Sequence, residues 1–117
     1  MTQITLYHNP RCSKSRQTLA LLEEYHIHPE IRLYLDQPPS PGELKSVLDK
    51  LGIKARALLR KSEEAYRELG LDNMNMNEAA LIQAMCSTPK LIERPIAITQ
   101  ERAIIGRPPE AVLELLS

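Results

Sequence analysis

The sequence contains neither tryptophan nor phenylalanine, and four tyrosines are the only aromatic side chains among its 117 residues. A core must therefore be packed from Leu, Ile, Val, Ala and Met, and the aromatic platforms on which single-stranded nucleic acid stacks are missing. Neither sign of charge is in excess: 15 basic residues stand against 15 acidic ones, which argues against a nucleic-acid or membrane partner. No run approaches the roughly 18 to 20 apolar residues of a membrane span. Cysteine is scarce as well. Cys12 and Cys86 cannot make a disulfide framework, and the opening MTQITLYH lacks a basic, apolar, small-residue leader, so a cytosolic chain with reduced thiols is expected.

The size suits one domain spanning 1–117, long enough to bury a core without staples. ITLY (4–7) has the composition of a strand and is closed by the turn signal HNPR. The pattern then changes period. From Ser13 to about Tyr25, Leu19, Leu22 and Tyr25, flanked by Thr18 and Leu21, recur at helical spacing, which predicts a helix starting at or beside Cys12. IRLYL (31–35) predicts a second strand, parallel to the first and joined by a right-handed crossover.

Further on, Ser40, Pro41 and Glu43 form a capping box with proline at the first helical position, Leu44, Val47, Leu48 and Leu51 make one apolar face, and Gly52 closes the helix. ARALLRKSEEAYRELG predicts a short turn and then a short helix capped by Ser62 and ended by Gly70. Asn77 or a neighbour opens another helix, which turns Leu81, Ala84 and Met85 inward and stops at Pro89. PIAIT (95–99), the turn QER and AIIG (103–106) predict an antiparallel hairpin, and RPPEAVLELLS a last helix with Val112, Leu113 and Leu116 on its apolar side. The sum is an α/β or α+β domain with a small mixed sheet and helices on its faces.

The segment HNPRCSKSR (8–16) raises the chemical question. A cysteine at a helix start meets unpaired N–H groups and the positive end of the dipole, which favour a thiolate. His8, Arg11, Lys14 and Arg16 are close in sequence, and Ser15, one turn on, can offer its hydroxyl to the sulfur. The bland alternative, a cysteine packed as a small hydrophobe, is disfavoured by the polar flanks Asn9, Arg11, Ser13 and Lys14. A zinc site is excluded because His8, Cys12, His26, His28 and Cys86 lack ligand spacing; His26 and His28 read as solvated loop residues. Ser15 stands where a second redox cysteine would be. Cys86, beside Met85 on a helix, reads as a packing residue unless folding brings it to Cys12.

HNPRCSKSR together with ALLRK (57–61), LIERPI (91–96) and IGRPPE (105–110) resembles the glutaredoxin-coupled arsenate reductase family, from residue 4 to about 116. The likeness is greatest to a short subgroup of arsenate-reductase-like proteins, and the chain, ending at Ser117, is shorter than the longer members. The resemblance implies a thioredoxin-like fold with a four-stranded mixed sheet and a helical insertion at about 36–92. It implies that Cys12 is the nucleophile, that Arg60, Arg94 and Arg107 hold the oxyanion, and that His8 helps keep the sulfur ionised. The Arg94-Pro95 bond is expected to be cis. Each arginine also has a surface reading: Arg60 as a helix-end cation, Arg94 paired with Glu93, Arg107 as a loop cap. Arg11, Lys14, Arg16 and Lys61 are expected to supply local potential rather than contacts.

On this resemblance the expected activity is reduction of arsenate, or a similar oxyanion, to arsenite. An adduct forms on Cys12, glutathione displaces it, and glutaredoxin supplies the second reducing thiol. No bound cofactor or metal is expected; glutathione is a co-substrate, glutaredoxin a partner, and the protein a monomer. The phosphatase-like type of arsenate reductase needs Arg six positions after the cysteine, where this chain has Thr18. Two rivals remain: a general thiol oxidoreductase, and a redox adaptor of the RNA-polymerase-binding type, which needs a second cysteine at position 15.

Overall fold

The computed structural model describes residues 3–116, and its contacts divide the chain into two compact units. The first runs up to Gln37 and resumes at Arg94; the second is Pro38–Glu93.

The first unit is built on a four-stranded sheet. β1 (Thr5–Tyr7) pairs in parallel with β2 (Glu30–Arg32), with Leu6 opposite Ile31, and antiparallel with β3 (Ile96–Ile98), with Leu6 opposite Ala97. β4 (Ala103–Ile105) returns antiparallel beside β3, giving the order β2-β1-β3-β4. The hairpin turn is fastened by Thr99, whose N–H donates to Arg102 O and whose Oγ1 accepts the Arg102 N–H. α1 (Ser13–Glu24) and a closing 3₁₀ helix (Pro109–Leu116) cover one face, so that Ile4, Leu6, Leu22, Ala97, Val112 and Leu115 form a shared aliphatic core. Each such fully buried Leu or Ile contributes roughly 1.5–3 kcal/mol.

Three details of this unit differ from the sequence expectation. The second strand stops at Arg32, because Leu33 O accepts the N–H groups of both Asp36 and Gln37 and the backbone turns there. Tyr34 is carried inward to stack on Tyr7, ring centroids 6.1 Å apart, while Leu33 and Leu35 stay partly exposed. The inner line of α1 is Ser15, Thr18 and Leu22, and Tyr25 faces solvent. The last helix is 3₁₀ rather than α: Pro109, Val112 and Leu115 are its buried residues, and their spacing of three matches three residues per turn. Leu113 and Leu116 are only half-buried.

In the second unit, α2 (Pro41–Leu51) opens with the complete capping box: Glu43 N–H donates to Ser40 Oγ at 3.1 Å and Ser40 N–H to Glu43 Oε1 at 2.9 Å. It ends on Gly52 at φ 72°, a left-handed conformation that glycine adopts without strain. α3 (Ala55–Leu58) and α4 (Glu64–Glu68) follow. Ser62 is not the cap of α4; Glu63 is, with no side-chain capping bond, since the helix starts one residue later than expected. Asn77 does cap α5 (Glu78–Ser87), its Oδ1 accepting the Ala80 N–H at 2.8 Å. Leu81 and Met85 point inward as expected, but Ile82 rather than Ala84 completes the buried set. A bridge between Leu59 and Ile92 brings together the two segments carrying Arg60 and Glu93.

Candidate active site

The end of β1 and the start of α1 place Cys12. His8 N–H donates to Arg32 O at the strand end, and the chain then turns through Asn9-Pro10-Arg11, with Cys12 N–H donating to Asn9 O at 3.0 Å. Asn9 Oδ1 accepts the Arg11 N–H at 3.0 Å, the side-chain turn that asparagine favours, and Arg16 Nη1 donates to Pro10 O at 2.9 Å. Cys12 is the N-cap residue of α1, in extended conformation at φ −92°, ψ 123°. Its sulfur therefore stands where a capping oxygen would otherwise meet the first N–H groups of the helix.

Two arginines from the other end of the first unit converge on it. Arg107 Nη2 donates to Cys12 Sγ at 3.7 Å, and its Nε donates to Arg94 O at 2.7 Å, so one edge of the guanidinium bridges the sulfur and the Arg94 backbone. Partial burial alone pushes the Cys12 thiol up. The Ser15 N–H, the Arg94 guanidinium and the Lys14 N–H together outweigh that penalty, and the pKa lies below the ordinary thiol value. Cys86 is shifted the other way, by burial and by the Glu43 carboxylate.

This contrast predicts a measurable order of reaction. Only the thiolate attacks iodoacetamide, so a lowered pKa moves the rise in rate to lower pH and a raised one moves it higher. Site-resolved mass spectrometry at neutral pH should show Cys12 modified well before Cys86. Equal rates would remove the electrostatic assignment.

Gly106 brings Arg107 into place. Its N–H donates to Pro95 O at 2.9 Å, and a Cβ built there would lie 2.6 Å from Thr18 Oγ1 and 2.9 Å from Pro95 Cγ. Thr18 is fully buried and tied to Lys14 O, and the Pro95 ring is rigid, so neither can give way easily. Gly106→Ala should cost about 1–3 kcal/mol by overpacking, seen as a lower denaturation midpoint, and should slow Cys12 alkylation by displacing Arg107. The Arg94-Pro95 bond is cis, as expected, and Arg107-Pro108 is a second cis bond that the sequence reading did not anticipate.

His8 and Ser15 sit behind the sulfur. Both are buried, with His8 Nδ1 2.6 Å from Ser15 Oγ, and Ser15 Oγ also accepts the Asn9 N–H at 3.0 Å. The Ser15 hydroxyl is thus occupied by His8 rather than offered to the sulfur; Ser15 reaches Cys12 through its backbone N–H. Burial and the nearby Arg16 hold the His8 pKa below its ordinary value, so at neutral pH it is not a cationic partner for the thiolate. Any help that His8 gives in keeping the sulfur ionised therefore does not come from a positive charge on its ring.

The structure thus brings Cys12, His8, Ser15, Arg94 and Arg107 together within the first unit. Arg60 belongs to the second, where Nη1 donates to Glu93 Oε1 at 2.9 Å and Nε lies 3.5 Å from Glu63 Oε1. The sequence reading missed the three bonds of Asn9, although an Asn-Pro dipeptide before the cysteine is a turn signal that points to them. Both cysteines are free thiols. Among the described residues no group of three or more His, Cys, Asp or Glu is arranged to hold a metal, and no helix is long and apolar enough to cross a membrane.

Comparison with known proteins agrees with this architecture. The ArsC family profile matches residues 7–115. A Haemophilus influenzae protein named arsenate reductase is 51% identical over 114 residues, covering 97% of this chain and 98% of its own. An Escherichia coli arsenate reductase is 45% identical across 99% of this chain and 82% of its own. The solved structure of arsenate reductase from Vibrio cholerae superposes with a TM-score of 0.94 at 49% identity, covering 97% of each chain. A strand, a cysteine-bearing turn, a helix and a closing hairpin in this arrangement, matched over nearly the whole length, mean that the chain belongs to the ArsC family.

Proposed function

We propose that the protein reduces arsenate to arsenite through a covalent adduct on Cys12, with glutathione and glutaredoxin supplying the thiols. The observation that carries this is the Cys12 sulfur at a helix N-terminus with Arg107 Nη2 3.7 Å away and the Arg94 guanidinium stabilising its ionised form. The names of the relatives support the oxyanion. Planar guanidinium forks suit a tetrahedral oxyanion, because each can give two parallel charge-assisted bonds to adjacent oxygens.

In this reading the Cys12 thiolate attacks arsenic, an S–As bond forms, and one arsenate oxygen leaves as water after taking up protons. The glutathione thiolate then attacks the Cys12 sulfur. The S–As bond breaks with its electron pair going to arsenic, which is thereby reduced and released as arsenite, and a Cys12–glutathione disulfide remains. Glutaredoxin returns that disulfide to the free thiol. The absence of a cysteine at position 15 fits a route in which the second thiol comes from outside. Arg60 is the third oxyanion cation of this reading, on the strength of the resemblance.

The test is arsenate-dependent oxidation of NADPH, coupled through glutathione, glutaredoxin and glutathione reductase. Turnover that requires all of these components supports the proposal. Thiol-disulfide exchange without any arsenate dependence would replace it with a general oxidoreductase.

A further inference from the structure

The buried pair behind the sulfur has a proton arrangement that its geometry determines. Ser15 is fully buried, and its Oγ has two partners among the described residues: the Asn9 N–H, which it accepts at 3.0 Å, and His8 Nδ1 at 2.6 Å. The hydroxyl hydrogen therefore has one acceptor within reach, the His8 Nδ1 lone pair. Were that nitrogen protonated, whether in the other tautomer or as imidazolium, it would donate to Ser15 Oγ and the rotated Ser15 O–H would be left a buried donor without an acceptor.

We propose that His8 and Asn9 are positioning residues which act on Cys12 through Ser15: a neutral His8, protonated on Nε2, accepts the Ser15 hydroxyl and, with Asn9, fixes the first turn of α1 so that its N–H groups stay aimed at the sulfur. The influence of His8 on the thiolate is then one of geometry rather than charge. His8 directly follows β1, with its N–H still bonded to Arg32 O, and Ser15 lies in the first turn of α1, so their bond pins the helix start to the sheet. Asn9 fastens the loop between them three times, through its N–H to Ser15 Oγ, its carbonyl to the Cys12 N–H, and its Oδ1 to the Arg11 N–H. The Ser15 N–H is the foremost of the groups that favour the thiolate, so a shift of this turn is felt directly at Cys12. Burial and Arg16, the cation facing His8, both oppose a second positive charge at that position.

The inference rests on Cys12 being the nucleophile of the proposed reaction, but its test reads the thiol and the ring without arsenate. Nitrogen NMR of the wild-type protein at neutral pH should show His8 with a bare Nδ1 and a protonated Nε2; an imidazolium or an Nδ1–H tautomer overturns the proposal. The pH profile of Cys12 alkylation provides the second arm. His8→Ala should slow reaction at neutral pH about tenfold, the scale of one lost buried hydrogen bond, and move the profile to higher pH. His8→Asn places a neutral acceptor oxygen near the former Nδ1 and should restore most of the rate. Asn9→Ala should slow alkylation, and Asn9→Ser, which keeps a neutral side-chain acceptor for the Arg11 N–H, should recover part of it. If His8→Asn is as slow as His8→Ala while both unfold at the wild-type midpoint, charge or the ring itself is required and the proposal fails. An instability in either variant leaves the tautomer measurement to decide. Absence of arsenate turnover with the expected tautomer and profiles would overturn the arsenate reading alone.

Discussion

Cys12→Ser is expected to bring arsenate-dependent NADPH oxidation down to background, a fall of roughly 10³-fold or more, the scale seen when the nucleophile of a coupled catalytic unit is removed. The reason goes beyond reactivity. A serine hydroxyl titrates far above the thiol, so neither the N–H groups of Lys14 and Ser15 nor the Arg94 guanidinium can make it an anion near neutrality. Even if an O–As ester formed, it would lead nowhere. In the proposed route the electron pair reaches arsenic as a second sulfur bonds to the Cys12 sulfur, and oxygen at that position cannot form the corresponding disulfide. The variant should still bind oxyanion, since Arg94 and Arg107 remain. Cys86→Ser is the companion measurement: a half-buried thiol of raised pKa is a poor nucleophile, and most activity should survive its loss. Equal loss in both variants would make Cys86 the resolving thiol and discard the external-thiol route.

Arg94→Gln is expected to lower kcat/KM for arsenate about 10²–10³-fold, the usual effect of removing one preorganised donor from a site where negative charge is held. Arg94 contributes two separable features. Its guanidinium stabilises the Cys12 thiolate, while its backbone carbonyl accepts Arg107 Nε at 2.7 Å. The substitution removes the first and keeps the second, so Arg107 stays on the sulfur and the loss belongs to the Arg94 side chain. Two readouts should move together: the alkylation profile of Cys12 to higher pH, because a cation and donor are gone, and the arsenate KM upward. Arg94→Lys sharpens the result. Lysine keeps the charge and should recover part of the thiol shift, but a single ammonium cannot give the paired bonds of a planar fork, and turnover should stay low. Unchanged kinetics in both variants would take Arg94 out of the site.

Much of the local structure was legible from neighbouring residues. The Ser40, Pro41 and Glu43 signature produced the capping box, Asn77 the cap of α5, and the Asn-Pro turn before Cys12 a helix start at the sulfur, because each depends on contacts a few positions apart. Expectations that failed were ones decided by packing. Alternation in IRLYL is real, yet the strand ends at Arg32 since Tyr34 is drawn onto Tyr7 and the ladder is given up for a turn. The apolar pattern of the last segment fits an α-helix equally well; burial of Pro109, Val112 and Leu115 against the sheet selects the three-residue period.

For the site, the sequence by itself determined the setting of the candidate nucleophile: a cysteine flanked by cations at the point where extended chain becomes helix acquires its N–H environment from its own next three residues. Only the tertiary structure decided what else acts on that sulfur. Arg107 is 95 residues away, and its bridge from Cys12 Sγ to the Arg94 carbonyl exists because β3 starts and β4 ends at the edge of the sheet where β1 leads into the Cys12 turn. His8 is four residues from Cys12, near enough in sequence to pass for a charged partner, and the fold instead buries it against Ser15. Proximity along a chain fixes which groups can meet, whereas desolvation, which sets whether a group carries charge, arises only once distant segments have closed over it.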